Sequence, residues 1–198
     1  EYPLAASASE AAELFGLAGS RDLAIHCGLI GLLLPSHLDR MDQIRQRGLR
    51  SLHCRFQGAF YGWVAEEASS GRWGQLAVGR LHALWALAGP LALRDVRFSQ
   101  KPGGYRMELW LEGDGLPVHL EEERGEGHSR STAYTGELGD GAGFAPGQGA
   151  GGRSGLFSSD LSVFQGQMSG GHGHCPREEI LAVLRLAEQC STACLSAM

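Results

Sequence analysis

Between two glycine turns, Tyr105, Met107, Leu109 and Leu111 alternate with Arg106, Glu108, Trp110 and Glu112. Side chains of a strand point to opposite faces in turn, so this period of two places four large apolar groups on one face and mostly charge on the other. Lys101-Pro102-Gly103-Gly104 before the segment carries the residues that tight turns require, and Gly113-Asp114-Gly115 after it does the same. Val96 and Phe98 form a preceding strand; Leu116, Val118 and Leu120 form the next, and Arg130 to Thr135 a fourth. Consecutive strands joined by short turns predict an antiparallel meander with one face packed and one open to water.

Helical patterns surround this block. Ser7 with Glu10 has capping-box spacing and predicts a short helix ending near Gly19. Arg21 to Leu34 is apolar nearly all round and predicts a buried helix ended by Pro35, with a central strand as the alternative for so short a run. Ser36 with Asp39 repeats the capping-box spacing, and Leu38, Met41 and Ile44 continue at helical spacing to Gly48. Leu52, Cys54 and Phe56 switch to alternation and predict a strand, with Phe60 to Glu66 as its partner. Trp73 to Ala88 returns to a helical stripe that Gly89-Pro90 closes. Leu156 to Phe164 reads as one more strand. Pro176, followed by Glu178 and Glu179, opens a closing helix striped by Ile180, Val183, Leu184, Ala187, Cys190 and Cys194. The prediction is one α+β domain over residues 1–198: an antiparallel β-meander packed against several helices, with a closing C-terminal helix and a glycine-rich loop at about 136–155.

Composition narrows the function. A net charge of −5 argues against coating nucleic acid or an anionic membrane, both of which need a basic excess. The apolar run from Leu23 to Leu34 is too short to span a bilayer. Five cysteines cannot all pair within one chain, and reduced thiols point to the cytoplasm.

Three cysteines directly follow a histidine: His26-Cys27, His53-Cys54 and His174-Cys175. Imidazole and thiolate hold zinc and copper, and together they make nucleophile–base pairs. In a strand, however, His53 and Cys54 face opposite ways, and Cys54 reads as a core residue. Cys27 reads the same way, and Cys190 with Cys194 fall in the apolar stripe of the last helix. Cys175 is different. It stands at a helix N-terminus, where the dipole and free amides lower a thiol pKa. Cys175 is therefore the candidate catalytic thiol, and His172, His174 and Cys175 are the candidate ligands for zinc or copper. The glycines at 147, 149 and 152 match a dinucleotide-binding pattern, but the strand before and helix after that the pattern needs are missing. Glu121-Glu122-Glu123 with Glu126 reads as a solvated acidic turn.

No catalytic constellation emerges from spacing alone. The primary expectation is a non-enzymatic protein-binding or assembly protein, with a protein partner docking on the sheet face that carries Trp110. The alternative is a metal- or thiol-dependent enzyme built on Cys175, His172 and His174.

Overall fold

The computed structural model describes residues 4–145 and 155–198. Among the described residues, six α-helices and five strands follow one another in the order α1 (Ala8–Ser20), a short 3-10 helix (Ile30–Leu33), α2 (Pro35–Arg47), β1 (Leu49–Ala59), α3 (Trp63–Ser69), α4 (Trp73–Ala88), β2 (Leu91–Lys101), β3 (Gly104–Gly113), β4 (Leu116–Gly125), β5 (Ser131–Leu138), α5 (Leu156–Met168) and α6 (Arg177–Ser196). The class is α+β, and the last helix closes the chain as expected.

The meander forms where the turns placed it. The β2–β3 hairpin turns at Pro102-Gly103 and the β3–β4 hairpin at Asp114-Gly115, where positive φ at Gly103, Asp114 and Gly115 is the geometry that these turns demand. The sheet is not purely antiparallel, however. Its order is β2-β3-β4-β1-β5, and β1 pairs parallel with β4. The segment carrying α3 and α4 crosses over between β1 and β2, so β1 returns beside β4 and separates it from β5. No local spacing encodes that pairing.

Three expected elements fold otherwise. Arg21 to Leu29 is irregular and leads into the 3-10 turn, because Gly28 and Gly31 interrupt the run and Pro35 opens α2 rather than closing a helix. Ser36 therefore caps nothing, since the N-cap position is Leu34. The expected partner strand from Phe60 becomes α3, entered through Gly62 at φ +57°. Leu156 to Phe164 is not a strand but the first part of α5, whose Leu156, Asp160, Phe164 and Gln167 line one helical face. By contrast, Ser7 does cap α1: its Oγ accepts from the Glu10 N–H at 3.1 Å, while the Glu10 carboxylate accepts from the Ala6 N–H at 2.9 Å. The glycine-rich stretch contributes Gly136 to Leu138 to β5; residues 146–154, including the spaced glycines, lie outside the described residues.

Helices α4 and α6 cover one sheet face. Leu76, Leu81, Leu84, Val183, Leu184 and Ala187 meet Leu52, Met107, Leu109 and Leu120 in one apolar core. Cys54, Cys190 and Cys194 are fully buried there as small hydrophobes, and burial pushes the Cys54 thiol up to about 11 and Cys194 up to about 12. The two helices touch backbone to backbone at Gly74, whose N–H donates to Ser191 Oγ at 2.9 Å; a methyl group there would overlap the Ala187 carbonyl. Gly74→Ala is expected to destabilise the chain by about 3 kcal/mol, because main-chain atoms must move apart to admit it. Chemical denaturation measures the loss, and a change below about 1 kcal/mol would show that the crossing is compliant.

Candidate functional site

Helix α5, read from the sequence as a strand, brings two of the three histidine–cysteine pairs together. Asp160, one turn into α5, receives both neighbours: His174 Nε2 lies 2.5 Å and His26 Nε2 3.0 Å from the same oxygen, Oδ1. The two rings are tilted, with centroids 5.2 Å apart. Two turns further along, Gln167 holds the other side of His26, with Oε1 at 2.7 Å from Nδ1, and its own amide donates to the Ile25 carbonyl at 3.3 Å. Phe164 packs its ring on His26 between them. Burial raises the Asp160 carboxyl, but the hydrogen bonds from His174 and His26 outweigh it and hold the group below the usual carboxylate range. All three side chains are partly buried, with His174 the most enclosed. The arrangement is two imidazoles on one carboxylate, a pattern that fixes the orientation of the rings.

The predicted ligand set does not gather at one point. His174 belongs to the group of His26 and Asp160, whereas Cys175 lies with His82 and Glu179. His172 is in neither group. The Cys175 thiol is not activated as its position at a helix N-terminus suggested. Burial, then the neighbouring Glu179 and Cys27, raise its pKa well above the ordinary thiol value. The mere position of a thiol before a helix is thus outweighed here by desolvation and adjacent negative charge.

The open face of the sheet holds Trp110, half-buried at the centre. Its ring stacks on His119 at 4.8 Å, His119 stacks on His53 at 4.8 Å, and the Arg97 guanidinium covers the other side of Trp110. A broad groove of about 800 Å³ runs past them, lined also by Ser51, Arg94, Glu112 and Thr135. Burial and then the charge of His53 hold His119 below the usual imidazole range.

Two buried polar features escaped the reading of the sequence. Glu122 does not sit in a solvated acidic turn: it is fully buried in β4, on the face opposite Glu121 and Glu123. Its Oε2 accepts from Arg80 Nε at 2.9 Å, and its Oε1 accepts from Tyr105 Oη at 2.7 Å and from Arg124 Nε at 2.6 Å. Arg80 also donates to the Leu76 carbonyl, and both guanidiniums lie over the Phe56 ring. Parity along β4 carried the signal, since Val118, Leu120, Glu122 and Arg124 share a face. The second feature is His37 in the first turn of α2, 2% exposed, with Nε2 lacking a hydrogen-bond partner. Burial and then the Arg40 charge push its pKa down to about 4.

No family model matches the sequence, and no curated protein is similar to it. Solved structures share the fold. A probable dehydrogenase from Thermotoga maritima superposes with a TM-score of 0.75 at 8% identity, over 100% of this chain and 71% of its own. UDP-N-acetylglucosamine 3-dehydrogenase from Acidithiobacillus ferrooxidans gives 0.73 at 17%, over 99% and 70%. The WlbA dehydrogenase from Thermus thermophilus, solved with NAD and UDP-GlcNAcA, gives 0.64 at 19%, over 96% of this chain and only 62% of its own. At these identities the likeness establishes the fold. These neighbours are named as dehydrogenases, which goes against the expectation of a non-enzymatic protein-binding or assembly protein. Zinc or copper as the cofactor finds no support among them. Among the described residues, no helix is long and apolar enough to cross a membrane.

Proposed function

We propose that this chain is the substrate-facing unit of an NAD-dependent oxidoreductase of the Gfo/Idh/MocA type, acting on a polyhydroxylated substrate such as a sugar, cyclitol or nucleotide sugar. The observation that carries the reading is one of coverage: nearly all of this chain superposes on dehydrogenases, while about a third of each dehydrogenase has no counterpart in it. The described residues do not themselves fit a dinucleotide. Only β1 and β4 run parallel, and the turn that leads from β1 through Gly62 into α3 lacks the G-x-G-x-x-G spacing. On this reading the dinucleotide belongs to the part that has no counterpart here.

His26, His174 and Asp160 are the groups assigned to the substrate hydroxyl. Oxidising an alcohol requires removal of the hydroxyl proton; His26 has both ring nitrogens on acceptors, Gln167 Oε1 and Asp160 Oδ1, so His174, seated on Asp160 through Nε2, is the group assigned to take it. Gln167 fixes the orientation of His26, and the partial enclosure of the cluster keeps its hydrogen bonds from being screened.

Calorimetric titration of the chain with polyols, aldoses and nucleotide sugars tests the proposal, with NAD as the contrasting ligand. One sugar-class ligand is expected to saturate and NAD not to bind. Asp160→Asn is expected to weaken the sugar-class ligand about tenfold by loosening both histidines, a cost of about 1.4 kcal/mol. Saturable NAD binding to this chain, or indifference to every polyol, would overturn the reading.

A further inference from the structure

We propose that His82, Cys175 and Glu179 form a binding site for a divalent ion of the zinc class, which ties the start of α6 to α4. The three donor atoms lie within 4.8 Å of one another, and they come from two packed helices and the residue that precedes one of them. His82 projects from the third turn of α4. Cys175 stands just before Pro176, and Glu179 lies in the first turn of α6.

Cys175 hydrogen-bonds to Glu179, whereas His82 and Glu179 are spaced as ligands rather than as a hydrogen-bonded pair. His82 Nδ1 stands 3.7 Å from Glu179 Oε1, too far for a hydrogen bond. Donors sharing one tetrahedral zinc, with bonds of about 2.0–2.3 Å, are about 3.3–3.8 Å apart. His82 supplies a second and independent sign. Its side chain is only 1% exposed, and Nδ1 has no hydrogen-bond partner. An unpaired imidazole nitrogen buried in a helix interface is costly, and an ion seated between His82 and Glu179 would satisfy it.

Charge and softness agree with the assignment. One thiolate and one carboxylate neutralise a dication, so the loaded site buries no net charge. A nitrogen, sulfur and oxygen donor set suits zinc better than magnesium or calcium, which prefer oxygen alone. The Cys175 thiol, held protonated by burial and by Glu179, would release its proton on coordination. Cys27 is close enough to oppose charge on Cys175 but falls outside the ligand group, so the fourth position goes to water. The neighbouring His26–Asp160–His174 cluster is a separate set, already closed on itself by hydrogen bonds of 2.5 and 3.0 Å.

The experiment titrates chelator-stripped chain with Co²⁺ and follows its absorbance. One equivalent is expected to bind, with the strong visible bands of four-coordinate cobalt and a near-ultraviolet thiolate-to-cobalt band, both abolished by added Zn²⁺. Cys175→Ser should remove the near-ultraviolet band. Glu179→Gln, which keeps the size of the side chain, should weaken binding by at least about tenfold. His172→Ala should leave the titration unchanged. His82→Gln tests the buried ligand, with circular dichroism verifying the fold. Failure of the wild-type chain to take up stoichiometric Co²⁺ or Zn²⁺ would overturn the proposal. So would a thiolate band that survives in Cys175→Ser, or binding lost in His174→Ala but intact in Glu179→Gln.

Discussion

Glu122→Ala is expected to cost the fold about 3–5 kcal/mol, because it removes one partner of a buried charge network and leaves the others in place. Arg80 and Arg124 both direct their guanidiniums at the fully buried Glu122 carboxylate, and Tyr105 donates to it as well. Burial alone would raise the carboxyl. The two arginines, in the order Arg80 then Arg124, overcome that and hold it ionised, below the usual carboxylate range. Alanine therefore removes the carboxylate that both guanidiniums share inside the core, where water replaces it poorly. Urea denaturation of the variant should show a much lower midpoint with little change in slope. A loss below about 1 kcal/mol would mean that the arginines find other partners or reach solvent. Replacing Arg80, Glu122 and Arg124 together by apolar residues of similar volume should recover much of the loss, since it is the orphaned charge, and not absence of the network, that is costly.

The second large effect concerns acid. His37 in the folded chain is neutral down to about pH 4, against an ordinary value of 6.5 in the unfolded chain. Between these values the unfolded state binds a proton that the folded state refuses. Stability must therefore fall as the pH drops from about 6.5 to about 4, by as much as roughly 3 kcal/mol from this residue alone. Below pH 4 both states are protonated and the slope from His37 ends. His37→Leu, which keeps the site apolar, should flatten the curve across that window. Denaturant midpoints measured at intervals between pH 4 and 7 decide the matter. An equal slope in the wild-type chain and the variant would sink the assignment.

Much of the sheet was legible from the residues. Alternation in β3, the Pro102-Gly103 and Asp114-Gly115 turns and the apolar stripes of α4 and α6 are local signals, and each element formed where its signal lay. What was not legible depends on distant partners. Nothing near Leu52 states that it will pair with Val118 in parallel, or that Cys54 will also face Tyr134 on the other side. The site suffered most from one misread segment. With Leu156 to Phe164 taken as a strand, Asp160 had no reason to face His174, and His26 counted as incidental to a core cysteine. The helix supplies the carboxylate that joins them. Glu122 was available in principle: extending the parity of Val118 and Leu120 by one step sends it inward, but a run of three glutamates reads as solvent-facing unless the strand is followed through it.

The place of β1 in the sheet also has a consequence for synthesis. It lies between β4 and β5, both of which leave the ribosome long after it does. Until Leu116–Gly125 and Ser131–Leu138 have emerged, β1 waits with both edges unpaired and without α6 to complete the cover of its apolar face. Its pairings are among the most sequence-distant in the sheet, and closing such contacts slows folding. The nascent chain thus passes through an interval in which an apolar strand can pair with the wrong neighbour, and that interval is where aggregation during expression would begin.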